Sequence, residues 1–531
     1  MTYNSITNMD TSNINLRITK DNIKGWYFYS FSSESFVVSA VSTYIPLLLE
    51  RFARSNGVRL ENHLLPCTSE LDKCVVPIFG KYYVDTSSFA LYTFSVSVFF
   101  QTIVVVTVSG IVDMWNSIKL KGIVLVIFSI IGAISTIFIA KLNETQIYTL
   151  PMLYILANSC FGVINVVGNS LLPTFVSDLC KYSNNSGVDS AESNVEKLSS
   201  IISGRGASLG YSSALLTQIV SMFLVHKSKT KQDIQVAVFF VGVWWLFWLT
   251  PMWWLFNDTQ EVEDVASNSS RLSRSRAYYS NKRIWSLKSL GYGWKSLWNA
   301  FKHARLLKDV IIFLVGWFII SDSVTTINST AILFAKTELD MVTLNLITIS
   351  IITMIDAMIG AFVIPQFLAK KLNLLPDQIL VYIIMWTSFI PFYGILGFFF
   401  DCIGLKHKYE MYMLAVWYGL SLGGLSAVSR SVFSLIIPKG KESTFFSMFS
   451  MTDKGSSIVG PLLIGFVTDR THEIRYSFYL LFALLMLSLP VMKSLDVARG
   501  KREAEELTDV ISSREASVDS TALLDHHDQS D

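Results

Sequence analysis

Charge is what this chain has least of. Only 16% of its 531 residues are Asp, Glu, Lys or Arg, where a soluble domain averages about 25%. The net charge of +2 and the lack of a basic aromatic stripe leave nothing to hold a nucleic acid. None of the seven histidines falls inside an apolar stretch, and the five cysteines show no metal-ligand spacing. A phosphate-cradling GxxxxGKS/T loop is missing, so ATP-driven chemistry has no support. No HExxH helix and no nucleophile elbow is expected either. The chain is therefore read as a non-enzyme without cofactor or metal. Residues 1–25 are polar and lead into a full-length apolar stretch, so no cleavable leader is expected.

What is abundant is apolar length. Hydrophobic residues make up 51% of the chain, and mean hydropathy is +0.45. A helix needs about 20 apolar residues to cross the hydrocarbon of a bilayer. Twelve stretches qualify: 26–49, 87–112, 121–140, 147–177, 201–224, 234–256, 308–334, 342–368, 377–402, 409–437, 452–469 and 475–495. Each must be a helix, because an open strand leaves backbone groups unsatisfied in lipid. Tryptophans gather at span ends, as in Trp244, Trp245, Trp253 and Trp254, where an amphipathic ring prefers to sit.

An even number of spans puts both termini on one side. That side carries roughly 25 Lys and Arg in its loops against roughly 14 on the other, and basic loops stay cytosolic. The termini and the loop 257–307, with RLSRSR and NKR, are therefore expected in the cytosol. The chain divides into a terminal segment 1–25, a six-helix half 26–256, a basic linker 257–307, a second half 308–495 and a tail 496–531. Residues 1–20, much of 180–200 and 257–280, and the tail read as disordered, being rich in Ser, Asn and charge. Within the linker, GWKSLWNAFKHARLLKD has the spacing of a helix lying on a membrane surface.

The two halves repeat each other. SSESFVVSA in span 1 answers ISDSVTTIN in span 7, each with a carboxylate among hydroxyls: Glu34 and Asp322. SGRGASLGY in span 5 answers TDKGSSIVGP in span 11, each with a cation followed by two spaced glycines. NSLLP in span 4 answers RSVFSLIIP in span 10. Offsets between matched residues change as the intervening loop lengths require. Parallel six-helix repeats predict an all-α membrane protein of twelve transmembrane helices, major facilitator-like, with a site between the halves near mid-membrane.

Intramembrane charge marks the candidate site, since a charge at the bilayer centre costs at least about 2.5 kcal/mol. Glu34, Asp322, Asp356 and Arg430 are candidates for substrate binding or proton coupling, with ion pairing such as Glu34 to Arg430 as the structural alternative. Asn158, Asn165 and Asn169 share one face of span 4 by spacing. They would bind a polar solute or bond a neighbouring helix. Arg205, Gly206, Gly210, Lys454, Gly455 and Gly460 are read as gating or packing residues. Asp113 with Lys119 and Lys121 resembles the charged turn of facilitators, but Met114 stands where arginine is usual. Cys67 and Cys74 share one hydrophilic loop, where they form a disulfide if it faces an oxidising lumen or stay free thiols otherwise. An NET sequon at Asn143 is a glycosylation candidate in a short loop.

Taken together, YSFSSESFVVSAVSTYIPLLLERFARSNG, RGASLGY, RSVFSLIIPKGKESTFFSMF and GPLLIGFVTDRT resemble the fungal vacuolar amino-acid effluxers of the autophagy pathway, over about residues 26–495. The resemblance implies a vacuolar membrane carrier that exports leucine and other large neutral amino acids to the cytosol. In the tail, DSTALL places Asp519 ahead of Leu523 and Leu524, the form of an acidic dileucine signal read by adaptor coats. The expected partners are thus an amino-acid solute, the lipid bilayer and such coats. Alternating access follows from the repeat, with symport of a proton or plain uniport both open. A carrier-shaped amino-acid sensor signalling through cytosolic loops is the alternative function.

Overall fold

The computed structural model describes residues 2–59, 63, 65–67, 74–78, 82–115, 117–182, 188–228, 233–256, 291, 293–295, 298, 307–339, 341, 343–371, 374–400, 402–456, 459–460, 463–464, 467, 471 and 473–508. Eleven helices among these are long and apolar enough to span a membrane. The remaining expected span, 452–469, falls where many residues lie outside that set. Most of the linker 257–307 lies outside it as well, as do Asp519, Leu523 and Leu524.

The first half comprises α1 (Thr2–Ser35), a π-helix (Phe36–Tyr44), α2 (Ile45–Ser55), α3 (Thr86–Trp115), α4 (Ile118–Ile139), α5 (Thr149–Tyr182), α6 (Val188–Ser228) and α7 (Asp233–Leu255). The second comprises α8 (Lys308–Thr337), α9 (Thr343–Lys371), α10 (Pro376–Leu396), α11 (Lys408–Ile436), α12 (Glu442–Ser456) and α13 (Ser477–Lys493). A short helix, α14, follows over 497–508. Hydroxyls inside the apolar helices are satisfied locally. Thr93, Thr102, Thr107, Thr136 and Thr387 each donate to the carbonyl four residues back, the usual way to bury a hydroxyl in a helix.

Three expectations of disorder are corrected. Residues 2–20 are the start of α1, residues 188–200 begin α6, and the tail opens with α14. Polarity misled in each case. In α1 the small polar residues Asn15, Thr19 and Asn22 are buried, and Thr19 donates to the Asn15 carbonyl at 2.9 Å. In α6, Ser199, Ser200 and Ser203 are buried against α11.

Residues at the ends of the bundle define two faces. Gly25, Gly122 and Phe256 meet on one, and Asp309 meets Arg499 at the same end of the second half. This is the terminal face. The opposite, loop face carries an antiparallel sheet of β1 (Val58–Arg59), β2 (Cys74–Ile78) and β3 (Tyr82–Asp85) in that order, with Val58 opposite Val75 and Val76 opposite Val84. Cys67 and Cys74 are bonded there, their Cα atoms 6.0 Å apart. The sequon turn is tied down beside it: Glu144 accepts from Arg51 Nε at 3.0 Å and Ser55 Oγ at 2.8 Å, while Asn143 itself is exposed.

Close helix crossings hold the helices of the second half together. α9 and α11 meet at Gly360 and Gly423, where any Cβ would press into the backbone of Leu420 and Ala357. Small residues at such crossings let helices approach without a hydrophobic driving force. Large aromatics such as Phe99, Phe223, Phe247 and Trp254 are exposed, as expected of a surface that faces lipid.

Candidate functional site

Polar side chains of both halves converge in the cleft. Glu34 ends the α-helical part of α1, just before the π-helix; π segments often mark functional positions in a helix. The side chain lies against Gly210 of α6, where an added Cβ would sit 3.1 Å from Glu34 Cγ. Gly206, a turn earlier, leaves room for the ring of Trp26, whose Nε1 donates to the Gly168 carbonyl at 2.7 Å. The two glycines of RGASLGY thus serve packing of α6 on α1. Residues 206–210, GASLG, have the lettering of a hydrolase elbow, but they sit inside continuous α6 rather than at a strand-to-helix turn.

Across the cleft, Arg430 is half-buried on α11. Its Nε donates to the Ser426 carbonyl at 2.9 Å, and its Nη1 reaches Asn169 Oδ1 of the other half at 3.4 Å. Asn169 in turn donates to Asn165 Oδ1 at 3.0 Å. The positive charges acting on Glu34 are those of Arg430 and Lys454. Tyr211 donates to Ser426 Oγ at 3.3 Å and lies in the field of Glu34, Arg430 and Asp453. Tyr29 lies in the field of Glu34 and Arg430. Glu34, Arg430, Asn165, Asn169, Tyr29 and Tyr211 thus gather between the halves, with Lys454 and Asp453 within electrostatic reach.

Other expected residues go elsewhere. Asn158 shares its helix face with Asn165 and Asn169, yet it donates to Ser97 Oγ at 3.0 Å and Gln101 Oε1 at 3.2 Å. It joins α5 to α3 inside one half. Asp322 is buried and accepts from the Gly460 amide at 2.7 Å, where a Cβ at 460 would collide with Thr326 and Asp322. Asp356 is half-buried beside Gly419 of α11; among the described residues no hydrogen bond or ion pair joins it to Arg430 or Lys454. Arg205 is exposed and engages Tyr27. Lys454 lies 3.8 Å from Asp453, and Gly455 borders open space.

Two features escaped sequence reasoning. Asp453, beside Lys454, accepts from Ser321 Oγ at 2.8 Å and Trp317 Nε1 at 3.1 Å, fixing α12 to α8. Nothing short of the fold links those residues. The second is a closure on the terminal face. Asp113 accepts from the Ser443 amide at 2.8 Å, the Thr444 amide at 2.8 Å and Thr444 Oγ1 at 2.6 Å. A carboxylate is well placed there, at the first turn of α12 with its free amides and positive dipole end. Lys121 and Glu442 pair beside it at 3.7 Å, both buried. Ser199 with Ser434, Ser200 with Ser431, Ser170 with Ser443, and Ser203 with the Ala427 carbonyl complete the seam. The charged turn at 113–121 was the available signal, and its partners lie in the other half. Toward the loop face, Thr325, Asn328 and Ser329 of α8 are exposed, and a pocket lined by Asn328, Thr353 and Tyr418 opens between α8, α9 and α11.

Two helix bundles closed on one face around a charged polar cleft define a membrane carrier of the major facilitator fold. Solved structures agree on the fold. The chain is similar to a proton:xylose symporter, XylE (TM-score 0.57, 12% identity, 92% of this chain and 98% of that one). It is likewise similar to a bacterial homologue of the iron transporter ferroportin in its outward-facing state (TM-score 0.55, 12% identity, 90% and 99%). The sequence profile described as "Vacuole effluxer Atg22 like" matches residues 18–505, and the chain belongs to that family. It is 62% identical to autophagy-related protein 22 of Saccharomyces cerevisiae over 98% of this chain and 100% of that one. The identity is 58% with that of Kluyveromyces lactis over 92% and 96%, and 36% with that of Yarrowia lipolytica over 93% and 99%.

Proposed function

We propose that this chain carries amino acids out of the vacuole by alternating access, with the terminal face in the cytosol and the loop face in the lumen. The observation that carries this reading is the charge balance of the cleft: Glu34 and Asp453 against Arg430 and Lys454, with Asn169 bridging to Arg430. A zwitterion needs one anchor of each sign, and a charged pocket without such balance would favour an ion of one sign. Arg430 suits the solute carboxylate, since its planar fork can bind two oxygens at once. Glu34 suits the ammonium. Asp322 suits it less, because one carboxylate oxygen is already held by the Gly460 amide. The family's description as vacuole effluxers supports the compartment and the outward direction.

The closed terminal seam corresponds to a state that loads from the lumen. Opening that seam while the loop side closes delivers the solute to the cytosol. An acidic lumen would add about 1.4 kcal/mol per pH unit for each proton moved with it. Flux into sealed vesicles from a panel of labelled amino acids, with and without an imposed pH difference, tests both parts. Transport of neutral amino acids that Arg430→Ala abolishes is the expected result. Equal flux in the variant, or no amino-acid flux at all, would overturn the assignment. Acceleration by the pH difference identifies symport, and indifference to it identifies uniport.

A further inference from the structure

The sequence repeat pairs Glu34 with Asp322, and the fold pairs their surroundings as well. Glu34 lies against Gly210 of α6, and Asp322 lies against Gly460, the matched glycine of the second half. Their charge environments differ. Glu34 lies in the field of Arg430 and Lys454. Asp322 is 3% exposed, and among the described residues no Lys or Arg forms an ion pair with it. Among those residues its one hydrogen bond is the Gly460 amide donating to Oδ1 at 2.7 Å, which leaves Oδ2 free.

Thr326 and Thr330 follow Asp322 at four-residue steps, on the same side of α8. Both are buried, at 1% and 2% exposure, yet among the described residues neither Oγ1 has a hydrogen-bond partner. That sets them apart from Thr93, Thr102, Thr107, Thr136 and Thr387, which donate to the carbonyl one turn back. A buried hydroxyl without a partner costs stability, and here two of them stand in line with a buried carboxylate. Thr326 and Asp322 border one small space: a Cβ built on Gly460 would press on Thr326 Oγ1 and come within 2.7 Å of Asp322 Oδ1. Thr330 stands about 6 Å further along the axis, toward the loop-face end of α8.

We propose that Asp322 and Thr326 form a sodium site, with Thr330 lining its approach from the loop face. Hard cations take oxygen ligands, and calcium sites commonly gather several carboxylates where this one offers a single charge to balance. An ionisable group in the membrane persists when it finds a partner, and sodium supplies the positive charge that no neighbouring side chain gives Asp322. A proton on Asp322 would engage one of the two hydroxyls at most, whereas an ion entering from the loop face meets both in turn. Coupling of this ion to the solute rests on the transport reading proposed above. The matched carboxylates then divide the work, Glu34 for the solute and Asp322 for the ion that travels with it.

Binding of radioactive sodium to the purified full chain in detergent tests the site apart from transport. The parent is compared with Asp322→Asn, Thr326→Val, Thr330→Val and Ser323→Ala, the last a neighbouring hydroxyl that already has its own partner, the Ile319 carbonyl. Thermal midpoints are read in sodium chloride and in choline chloride at equal ionic strength. Thr326→Val exchanges an unpartnered hydroxyl for a methyl group, so its midpoint in choline should match or exceed that of the parent. A variant that has lost its fold is recognised in the same choline measurement. Flux of labelled amino acids from the loop side of sealed vesicles is then followed with and without a sodium gradient, at clamped pH.

The expected result is saturable sodium binding that Asp322→Asn and Thr326→Val weaken at least about tenfold, Thr330→Val weakens less and Ser323→Ala leaves unchanged. Sodium should raise the thermal midpoint of the parent and not that of Asp322→Asn. A folded parent without saturable binding, or binding undiminished in Asp322→Asn, refutes the site. Flux that answers a pH difference and ignores sodium gives Asp322 to a proton and overturns the assignment. The two ideas fail separately: sodium binding without amino-acid flux sinks the transport reading and spares the site, whereas amino-acid flux by a chain that binds no sodium sinks the site and spares the carrier.

Discussion

Replacing Asp113 by asparagine should tip the carrier toward its terminal-open state. The carboxylate accepts three hydrogen bonds from the first turn of α12, and bonds to a charged acceptor contribute about 1.5–3 kcal/mol each. An amide of the same shape keeps one acceptor oxygen, so part of the network survives at neutral strength. Its NH2 group then faces backbone amides with nothing to accept it. A net loss of about 2–4 kcal/mol follows for the closed state. At 1.4 kcal/mol per decade, the closed population relative to the open one falls roughly 30- to 700-fold. The Ser199→Cys/Ser434→Cys pair reads this directly, because those hydroxyls lie 3.1 Å apart in the closed seam. Cross-linking that is fast with Asp113 and nearly absent with asparagine supports the reasoning. Equal rates in a stably folded variant would show that the Asp113 network does not set the balance.

Arg430→Ala should weaken solute binding by at least about tenfold, the worth of one charge-assisted bond; Arg430→Lys should recover only part, since the ammonium cannot reproduce the fork, as measured by solute competition in vesicles. Gly210→Val forces a side chain onto Glu34 and should cost about 1–3 kcal/mol by overpacking, seen as a lowered thermal midpoint in detergent. Gly460→Ala should do the same by displacing Asp322 and Thr326, with flux lost before the fold. Cys67→Ser with Cys74→Ser opens a short loop, and the chain-entropy relation gives a loss of about 2 kcal/mol, to be checked by limited proteolysis from the loop face.

The bundle was legible because apolar length in a membrane protein admits one secondary structure, and because the halves repeat. Glu34 and Arg430 were legible for a related reason: a charge in hydrocarbon stands out in any sequence. What those charges meet was not legible. Asp322 binds a backbone amide, and backbone donors leave no mark in a sequence. Asn158 shares a helix face with Asn165 and Asn169, but one face of a 34-residue helix meets different neighbours at different depths. Asp113 and Lys121 were visible as a charged turn, while Ser443, Thr444 and Glu442 lie more than half the chain away. The start of α1 and the whole of α14 were misjudged because polarity alone was weighed. Four buried positions at helical spacing are enough to hold twelve residues in place.

The hydroxyl seam has one more implication. Halves that met through leucine and phenylalanine would stick, since apolar surface parts from itself reluctantly in water. Serines 199, 200, 203, 431 and 434 trade each partner for a solvent molecule at almost no net loss. The joint is thus self-wetting: it shuts firmly enough to exclude traffic, yet comes apart without leaving a greasy scar.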